Sequence, residues 1–349
     1  MYIMKRIVML GFVLITLYIT GYAQKPFKVV FYNIENFFDL VDDPDVQDEE
    51  FTPNGPKKWT QEKYDKKLHN IERVLFDIAA INKDYPVVIG VSEVENRNVL
   101  EDIVATKKLL PANYRIVHYD SPEARGVDVA FMYRPDVLKL EGSKAIRTIV
   151  PSLPDFKTRD ILTMWGKIDN EDFFFMVAHW PSRVGGKSES EFKRIAVGHQ
   201  MRTIADSVRR ENPSVKVIMM GDLNDDPTDT SISGDEGLGA KLRVKDVQKG
   251  DYYAPYAALL KAGYGTLAYG DAWNIFDNII VSDNLLQADK GSYHLQKASG
   301  SKYYGNIFKR HYMVQKEGSF KGYPLRTFVG NNFQGGFSDH FPVYVYIGK

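Results

Sequence analysis

Hydrophobic and polar positions along the chain follow two patterns, one typical of buried strands and one typical of amphipathic helices. Short apolar runs predict strands at residues 28–32, 87–91, 127–133, 173–178, 217–220, 276–281 and 343–347. Apolar residues at helical spacing predict helices over residues 61–81 and 191–210. Strands outnumber helices and no long linker interrupts them. We therefore expect a single α/β domain built on two sheets, with the helices outside.

The predicted strands end or begin at polar residues. The clearest case is residues 217–227, VIMMGDLNDDP, where four apolar residues run into Gly221 and then Asp222 and Asn224. A turn alone would also favour these residue types. The pattern recurs at other strand ends, however, and strand ends are where α/β enzymes usually keep their chemistry. The candidate residues are Asn33, Glu35, Glu93, His179, Asp222, Asn224, Asp339 and His340.

The donor types among these candidates favour a hard divalent cation. The sequence has no cysteine, which excludes disulfides, thiolate metal sites and cysteine nucleophiles. Carboxylate and amide oxygens suit Mg²⁺ best, with Mn²⁺ or Ca²⁺ as alternatives. Mg²⁺ typically takes one or two protein carboxylates, so Glu35 and Glu93 would suffice. Zinc is disfavoured because no HExxH motif is present and the histidines lie far apart.

Two other chemistries are disfavoured. Asp339 beside His340 is compatible with a carboxylate that orients an imidazole, but no G-x-S-x-G motif supplies a serine nucleophile. The run Gly185-Gly186-Lys187-Ser188 is similar to a phosphate loop, yet Pro181 occupies the position of its first glycine.

Several further polar and aromatic residues have ordinary structural explanations. We expect Glu95 and Asp225 to be solvated loop charges, and we expect Trp180 and Trp273 to pack in the core. Residues 42–60 are acidic and contain proline and glycine, which predicts a surface loop.

The N-terminus predicts export. Lys5 and Arg6 precede an apolar run over residues 7–19, and Gly21-Tyr22-Ala23 resembles a cleavage site. The run is shorter than the roughly 20 residues that a spanning helix needs. We expect a signal peptide over residues 1–23, a single catalytic domain over residues 24–349, and no membrane anchor after cleavage. An exported chain without disulfides favours a bacterial envelope, either periplasmic or secreted.

Charge argues against a broadly basic binding face. The chain has 45 basic and 45 acidic residues, and removing Lys5 and Arg6 leaves 43 against 45, a net charge of −2. A polyanion would have to be bound through a local patch or through metal ions. Arg125 and Arg183 stand in loops beside the site strands and are candidates to clamp a phosphate. The alternative for each arginine is an ordinary surface ion pair.

The order of the motifs resembles that of a known family. The motifs are Asn33-Ile34-Glu35, Glu93 in VSEVEN, His179 in VAHWPS, GDLN at residues 221–224, Asp277 in FDNIIVS and SDHFP at residues 338–342. The chain resembles the endonuclease/exonuclease/phosphatase superfamily, which includes pancreatic-type deoxyribonucleases, abasic-site endonucleases, neutral sphingomyelinases and inositol polyphosphate 5-phosphatases. The resemblance spans about residues 28–348.

The resemblance implies a fold and a chemistry. The fold is a four-layer α/β/β/α sandwich of two mixed, mainly antiparallel sheets flanked by helices. The chemistry is divalent-metal-dependent hydrolysis of a phosphoester by in-line water attack. We expect a monomer.

The resemblance also assigns roles to individual residues. By resemblance, Glu93 is the principal metal ligand with Glu35 near it, although some members carry aspartate at the position of Glu35. Asn33 contacts the phosphate. Asp222 and Asn224 position the water and bind the phosphoryl oxygens, Asp339 and His340 are the closing pair, and Asp277 orients a catalytic histidine, for which we expect His179. The general base stays open between Asp222 and His340, while His179 is a candidate to protonate the leaving group.

Three functions remain to be compared. The first is an exported nuclease or phosphodiesterase that acts on DNA or RNA. The predicted signal peptide and His179 favour it. The second is a lipid or small-molecule phosphoesterase, of the sphingomyelinase or inositol-phosphatase kind. The third is a non-catalytic binding module, which the complete set of polar motifs disfavours.

Overall fold

A computed structural model describes residues 25–349 of the protein. The predicted signal peptide, residues 1–23, and Gln24 lie outside the described residues. Within residues 25–349, no helix combines the length and the apolar character that crossing a bilayer would require.

The described residues contain more strands than helices, as the sequence predicts. The strands are β1 Phe27–Phe37, β2 Val88–Val94, β3 Arg115–His118, β4 Asp128–Tyr133, β5 Leu138–Ile146, β6 Ile161–Ile168, β7 Glu171–His179, β8 Lys216–Asp222, β9 Tyr252–Tyr253, β10 Leu267–Tyr269, β11 Ala272–Asn274, β12 Asp277–Ser282, β13 His294–Gln296, β14 Asn306–Ile307, β15 Phe328–Val329, β16 Asn332–Phe333 and β17 Val343–Gly348. The α-helices are α1 Gln61–Ala80, α2 Arg97–Ala105, α3 Lys187–Glu211, α4 Thr230–Ser233 and α5 Ala257–Lys261. Short 3-10 helices cover Glu49–Phe51, Leu110–Ala112, Val244–Asp246, Asp283–Leu285 and His311–Met313.

Two mixed sheets form the centre of the molecule. The first has the order β13-β17-β1-β2-β4-β3, with β14 also paired to β17, and the second has the order β5-β6-β7-β8-β12-β9. Each contains one parallel pair, β1 with β2 in the first and β7 with β8 in the second. The remaining pairs in both sheets are antiparallel. The prediction of mixed, mainly antiparallel sheets is confirmed.

Alternating side chains divide the core into layers. Along β1, Val29 and Phe31 face the second sheet, while Val30 and Tyr32 face the helices. The inner layer packs Phe31 and its neighbours against residues of the second sheet such as Phe175 and Met220. Helices α1 and α2 cover the outer face of the first sheet, and α3 covers the outer face of the second. Because the central strands are apolar on both faces, the chain forms the expected four-layer sandwich.

Segment 42–60 differs from the plain surface loop that its composition predicts. It contains the 3-10 helix Glu49–Phe51, and Phe51 and Trp59 are buried. The Trp59 indole donates a hydrogen bond to the carbonyl of Phe38, 3.0 Å away. The segment is thus fixed to the end of β1, where it forms one wall of the site described below.

Candidate active site

Strand register in the second sheet places three polar side chains in one row. His179 at the end of β7 lies opposite Asp222 at the end of β8, and Asp222 lies opposite Asp277 at the start of β12. Residues opposite each other on neighbouring strands point to the same face of a sheet. The row therefore faces the first sheet at one edge of the sandwich, where the apolar runs stop.

Strand irregularities in the first sheet fix the positions of two carboxylates at this edge. The register between β1 and β2 shifts between Asn33 and Phe37, and that between β2 and β4 shifts between Ser92 and Val94. Glu35 and Glu93 lie within these shifts with positive φ angles of 51° and 61°. For a residue other than glycine, this backbone conformation costs about 1–2 kcal/mol. Bulges of this kind redirect side chains, and they commonly occur beside active sites.

Asn33 joins the two sheets. Its Nδ2 donates to Asp222 Oδ2 at 3.0 Å and to Glu93 Oε1 at 3.3 Å. Its Oδ1 accepts from the main-chain nitrogen of Glu35 at 2.9 Å. The side chain of Asn33 is thereby fixed between a carboxylate of each sheet, and its neighbour Glu35 is held in the bulge.

His340 is held from two sides. Its Nδ1 lies 2.7 Å from Asp277 Oδ2, and its Nε2 lies 3.7 Å from Asp222 Oδ2. Ser338 anchors the loop, because its Oγ donates to the carbonyl of Asn33 at 2.7 Å and accepts from the main-chain nitrogen of His340 at 3.0 Å. The loop before β17 therefore places the imidazole over Asp222.

This arrangement corrects the partner that we assigned to Asp277. We expected Asp277 to orient His179, whereas its carboxylate is bound to His340. The adjacent Asp339 is also not the orienting group, because it lies 3.9 Å from His340 Nε2 and forms an ion pair with Arg326 at 3.0 Å. The reason is topological: β12 begins beside the loop before β17, a contact that spacing in sequence does not reveal.

His179 has a different environment. Its Nε2 lies 3.6 Å from Asp222 Oδ2 and 3.9 Å from Glu93 Oε1. Its buried Nδ1 has no hydrogen-bond partner among the described residues. Burial lowers the pKa of His179 well below its usual value, and the positive charges of Arg159 and Arg125 lower it further.

The two histidines therefore carry different charges. Burial alone would lower the pKa of His340, but the negative charges of Asp277 and Asp222 outweigh it and raise that pKa well above its usual value. Burial raises the pKa of Asp222 to about 6, although the charge of His340 opposes the rise. The cationic imidazole of His340 and the neutral imidazole of His179 thus lie on either side of the Asp222 carboxylate.

Glu35, Glu93 and Asp339 are oxygen donors of the kind that a hard cation prefers. Glu35 and Asp339 line the same cleft. Burial, and then the negative charge of Asp339, raise the pKa of Glu35 to about 7. Carboxylates that destabilise one another in this way would be stabilised by a divalent cation, so the donors fit Mg²⁺ or a similar ion.

A second set of donors has a better explanation as catalytic groups. Oxygen and nitrogen atoms of Asp222, Asp277 and His340 all lie within 4.8 Å of one another. However, the Nδ1 of His340 and the Oδ2 of Asp277 are already bonded to each other. Metal coordination through these two atoms would break that pair, so the metal role of Glu35 and Glu93 stays a prediction.

The site opens into a cleft of about 350 Å³. Glu35 and Asp339 lie beside three basic residues of its lining, Lys57, Arg125 and Arg326. Arg125 is partly exposed and donates to Asn36 Oδ1 at 3.3 Å and to Glu123 Oε1 at 3.1 Å. Arg125 thus lines the cleft and also forms the ion pair with Glu123 that we gave as the alternative, so its role as a phosphate clamp stays a prediction.

Arg183 forms ion pairs, which was the alternative to a role as a phosphate clamp. It donates to Asp225 Oδ1 and to Asp229 Oδ2 at 3.0 and 2.8 Å, and it stacks on the ring of Phe276. These contacts occupy the guanidinium, which therefore forms a structural ion pair in this state. Arg183 instead positions the neighbouring loop, because its Nε donates to the carbonyl of Asn224 at 2.8 Å.

Asn224 lies on this loop with a positive φ of 51°. Its main-chain nitrogen donates to Asp222 Oδ1 at 3.0 Å, and its Nδ2 donates to the carbonyl of Trp180 at 3.0 Å. The loop therefore holds one oxygen of Asp222, while Asn33 holds the other.

Two carboxylates that we expected to be solvated are buried. Asp225 is fully buried and binds Arg194 Nε at 2.7 Å, and Ser231 Oγ donates to the same oxygen at 2.6 Å. Glu95 is buried beside Asp39, whose main-chain nitrogen donates to it. Trp180 is fully buried, as predicted, whereas Trp273 is only partly buried.

Sequence reasoning missed four basic residues at the site, one of which is Lys57 in the lining of the cleft. Arg159 is buried and donates to the carbonyl of Trp180 at 3.1 Å, and Arg326 pairs with Asp339. Lys67 is fully buried on α1, donates to Thr327 Oγ1 and faces the charge of Glu35. Lys67 did carry a signal, because it follows Tyr64 by three residues and precedes Ile71 by four, on the apolar face of its helix.

The model of the endonuclease/exonuclease/phosphatase family matches residues 28–349, so the chain belongs to this family, whose members are phosphoester hydrolases. A search of curated proteins found no match.

Solved structures share the fold at low sequence identity. TDP2 from D. rerio, complexed with a single-strand DNA product, is 14% identical with a TM-score of 0.54, and the match covers 93% of this chain and 99% of that one. A mannosyl-6-phosphatase from Bacteroides thetaiotaomicron is 16% identical with a TM-score of 0.54, over 93% and 100% of the chains. The human Nocturnin catalytic domain, with a bound sulfate anion, is 15% identical with a TM-score of 0.50, over 93% and 94%.

The buried pair of Arg194 and Asp225 generates a prediction about stability. Replacing Asp225 with Asn leaves the fully buried Arg194 without its counter-ion, and we expect a loss of about 3–5 kcal/mol in the free energy of unfolding. Urea denaturation measures this loss. The matched control is Glu101→Gln, which removes an exposed ion pair with Arg97 and should cost less than about 1 kcal/mol. Equal effects of the two substitutions would contradict the assignment.

Proposed function

We propose that the protein is an exported, divalent-metal-dependent phosphodiesterase that cleaves DNA or RNA internally. One observation carries the catalytic part: Asp222 Oδ2 lies 3.0 Å from Asn33 Nδ2, 3.6 Å from His179 Nε2 and 3.7 Å from His340 Nε2. A carboxylate held by an amide between two imidazoles suits the activation of a water molecule.

Asp222 is the proposed general base. The water oxygen forms its new bond to phosphorus and gives its proton to Asp222, while the bond from phosphorus to the ester oxygen on the opposite side breaks. The departing oxygen keeps the electron pair of that bond and takes a proton from solvent. Asn33 and the main-chain nitrogen of Asn224 fix the two oxygens of the carboxylate, so its orientation is set before the substrate arrives.

His340 and His179 stabilise the charge that develops on phosphorus. The Nε2 of His340 faces the site while its Nδ1 is bound to Asp277, so the imidazole presents one N–H to a phosphoryl oxygen. His179 supplies a second contact from the other side of Asp222. Fixed donors around the transition state are usually the largest contribution to such catalysis.

Glu35 and Glu93 would hold the divalent cation, with Asp339 beside them. When bound, the ion would neutralise charge on the phosphoryl oxygens and on the leaving oxygen. Mg²⁺ is the proposed ion, because the donors are carboxylates and the site contains no thiolate.

Nucleic acid is the proposed substrate because basic side chains line the cleft. Lys57, Arg125 and Arg326 line it, although the whole chain has a formal charge of zero. Such groups would bind the phosphates next to the one that is cleaved. The fold neighbour from D. rerio was solved with a single-strand DNA product. The second candidate is a small phosphoester, and the mannosyl-6-phosphatase neighbour supports it.

We propose export from the first 23 residues, with the mature chain beginning at Gln24. Expression of the full-length gene in a bacterial host should yield a periplasmic or secreted protein whose N-terminal sequence begins near Gln24. Retention in the cytoplasm with Met1 intact would contradict export.

The catalytic proposal is tested with the purified mature chain. Single- and double-stranded DNA, RNA, sphingomyelin, a sugar phosphate and an inositol polyphosphate are each incubated with Mg²⁺, Mn²⁺, Ca²⁺ or EDTA. We expect cleavage of a polynucleotide that EDTA abolishes. Asp222→Asn and His340→Ala should each lower kcat by at least ~10²-fold, the scale of a lost acid/base group or transition-state contact.

The matched control is His199→Ala, because His199 is exposed on α3 and lies outside the site. Its activity should equal that of the unmodified protein. Full activity of Asp222→Asn and His340→Ala would overturn the mechanism. Hydrolysis of the sugar phosphate or of the lipid, without cleavage of DNA or RNA, would replace the proposed substrate.

A further inference from the structure

An apolar groove of about 230 Å³ opens beside the catalytic cleft. One wall is the tip of the β10–β11 hairpin, with Tyr269, and the opposite wall is formed by residues 315–329, with Phe320 and Tyr323. The groove adjoins the cleft, because Arg326 and Asp339 line both. Asp339 directly precedes His340, so the groove lies next to the catalytic loop.

The aromatic side chains of the groove are unusually exposed. Tyr269 is 84% exposed and Phe320 is 55% exposed. Burying a large apolar side chain contributes about 1.5–3 kcal/mol, and the protein forgoes this contribution at both positions. Exposed apolar side chains grouped in this way commonly mark a binding site.

The walls are held in place without a ligand. Tyr323 donates its hydroxyl hydrogen to Asp271 Oδ1 at 2.6 Å and accepts from the main-chain nitrogen of Asp271 at 2.7 Å, which ties the hairpin to the opposite wall. The ring of Tyr323 contacts Trp273 and Phe320 with centroid distances of 5.9 and 5.7 Å. Trp273 in turn stacks on Phe341, the residue after His340. A line of aromatic rings thus connects the groove to the catalytic loop.

The polar residues of the groove restrict what it would hold. Gln315 and Gln334 line it, and their Nε2 atoms donate to the carbonyls of Glu317 and Asn332 at 3.4 and 3.2 Å. Their side-chain oxygens thereby serve as acceptors, while Arg326 serves as a donor. Flat aromatic walls with amide acceptors match the faces and edges of a nucleobase. At about 230 Å³ the groove is smaller than the roughly 300 Å³ of the smallest drug-sized pockets, so one ring system would fill it.

We infer that this groove binds the nucleobase next to the scissile phosphate, with Tyr269 and Phe320 as its stacking residues. The inference rests on the proposed cleavage of nucleic acid and adds a subsite to it. Stacking tolerates every base, so the groove would raise affinity for a strand without setting a strict sequence preference.

The test compares two matched oligonucleotides. One is a short single strand, and the other carries an abasic tetrahydrofuran in place of the nucleotide beside the cleaved bond. Tyr269→Ala and Phe320→Ala should each lower kcat/KM for the first strand about tenfold, because base stacking on an aromatic residue is worth roughly 1–3 kcal/mol. Neither variant should change kcat/KM for the abasic strand. The control is Tyr264→Ala, since Tyr264 is 53% exposed but packs on Tyr303 outside the groove.

Each other result counts against the subsite. Equal losses on both strands, or no loss on either, would overturn it. A loss confined to sphingomyelin in vesicles would assign the groove to an apolar chain. Binding of a nucleoside monophosphate, followed by calorimetry, separates this inference from the proposed activity. Binding that Phe320→Ala weakens would support the subsite even if no strand is cleaved, and equal binding by both proteins would refute it.

Discussion

The site depends on strand register at one edge of the sandwich. The parallel pair of β7 and β8 and the antiparallel pair of β8 and β12 bring His179, Asp222 and Asp277 into a single row. A shift of one residue in either pair would turn Asp222 to the opposite face. Gly221 lies opposite Ala178 of β7 in this register, and an added Cβ at Gly221 would meet the carbonyl oxygen of Ala178 at 2.0 Å. The close pairing of β7 and β8 at this point therefore requires glycine. The glycine that precedes Asp222 therefore belongs to the sheet as much as to the turn.

The second constraint is the contact between the sheets. Asn33 from the first sheet binds Asp222 from the second, and Ser338 fastens the loop of His340 to the carbonyl of Asn33. The inner apolar layer, which includes Phe31 and Met220, sets the separation of the sheets just below these contacts. The packing of the inner layer thus determines how far apart Asn33 and Asp222 lie, and the polar residues of the site follow directly after the last apolar residues of their strands.

The sequence was a good guide to elements and a weaker guide to contacts. Apolar runs predicted the central strands, and the polar residues that end them do converge at one edge. Our prediction that Asp277 orients His179 was wrong. The loop before β17 brings His340, and not His179, to the start of β12. The bulges at Glu35 and Glu93 could not be predicted, since neither segment carries a glycine at those positions. Asp225 and Glu95 look like loop charges in sequence, and only the fold reveals the groups that bury them.

The central claim is that water, aimed by Asp222, attacks phosphorus directly. The stereochemistry of hydrolysis tests it. A dinucleoside phosphorothioate of one configuration at phosphorus is cleaved in water enriched in ¹⁸O, and the configuration of the product is determined. In-line attack by water predicts inversion at phosphorus with the label in the product. Retention would require two successive displacements through a covalent enzyme intermediate, and it would contradict the account.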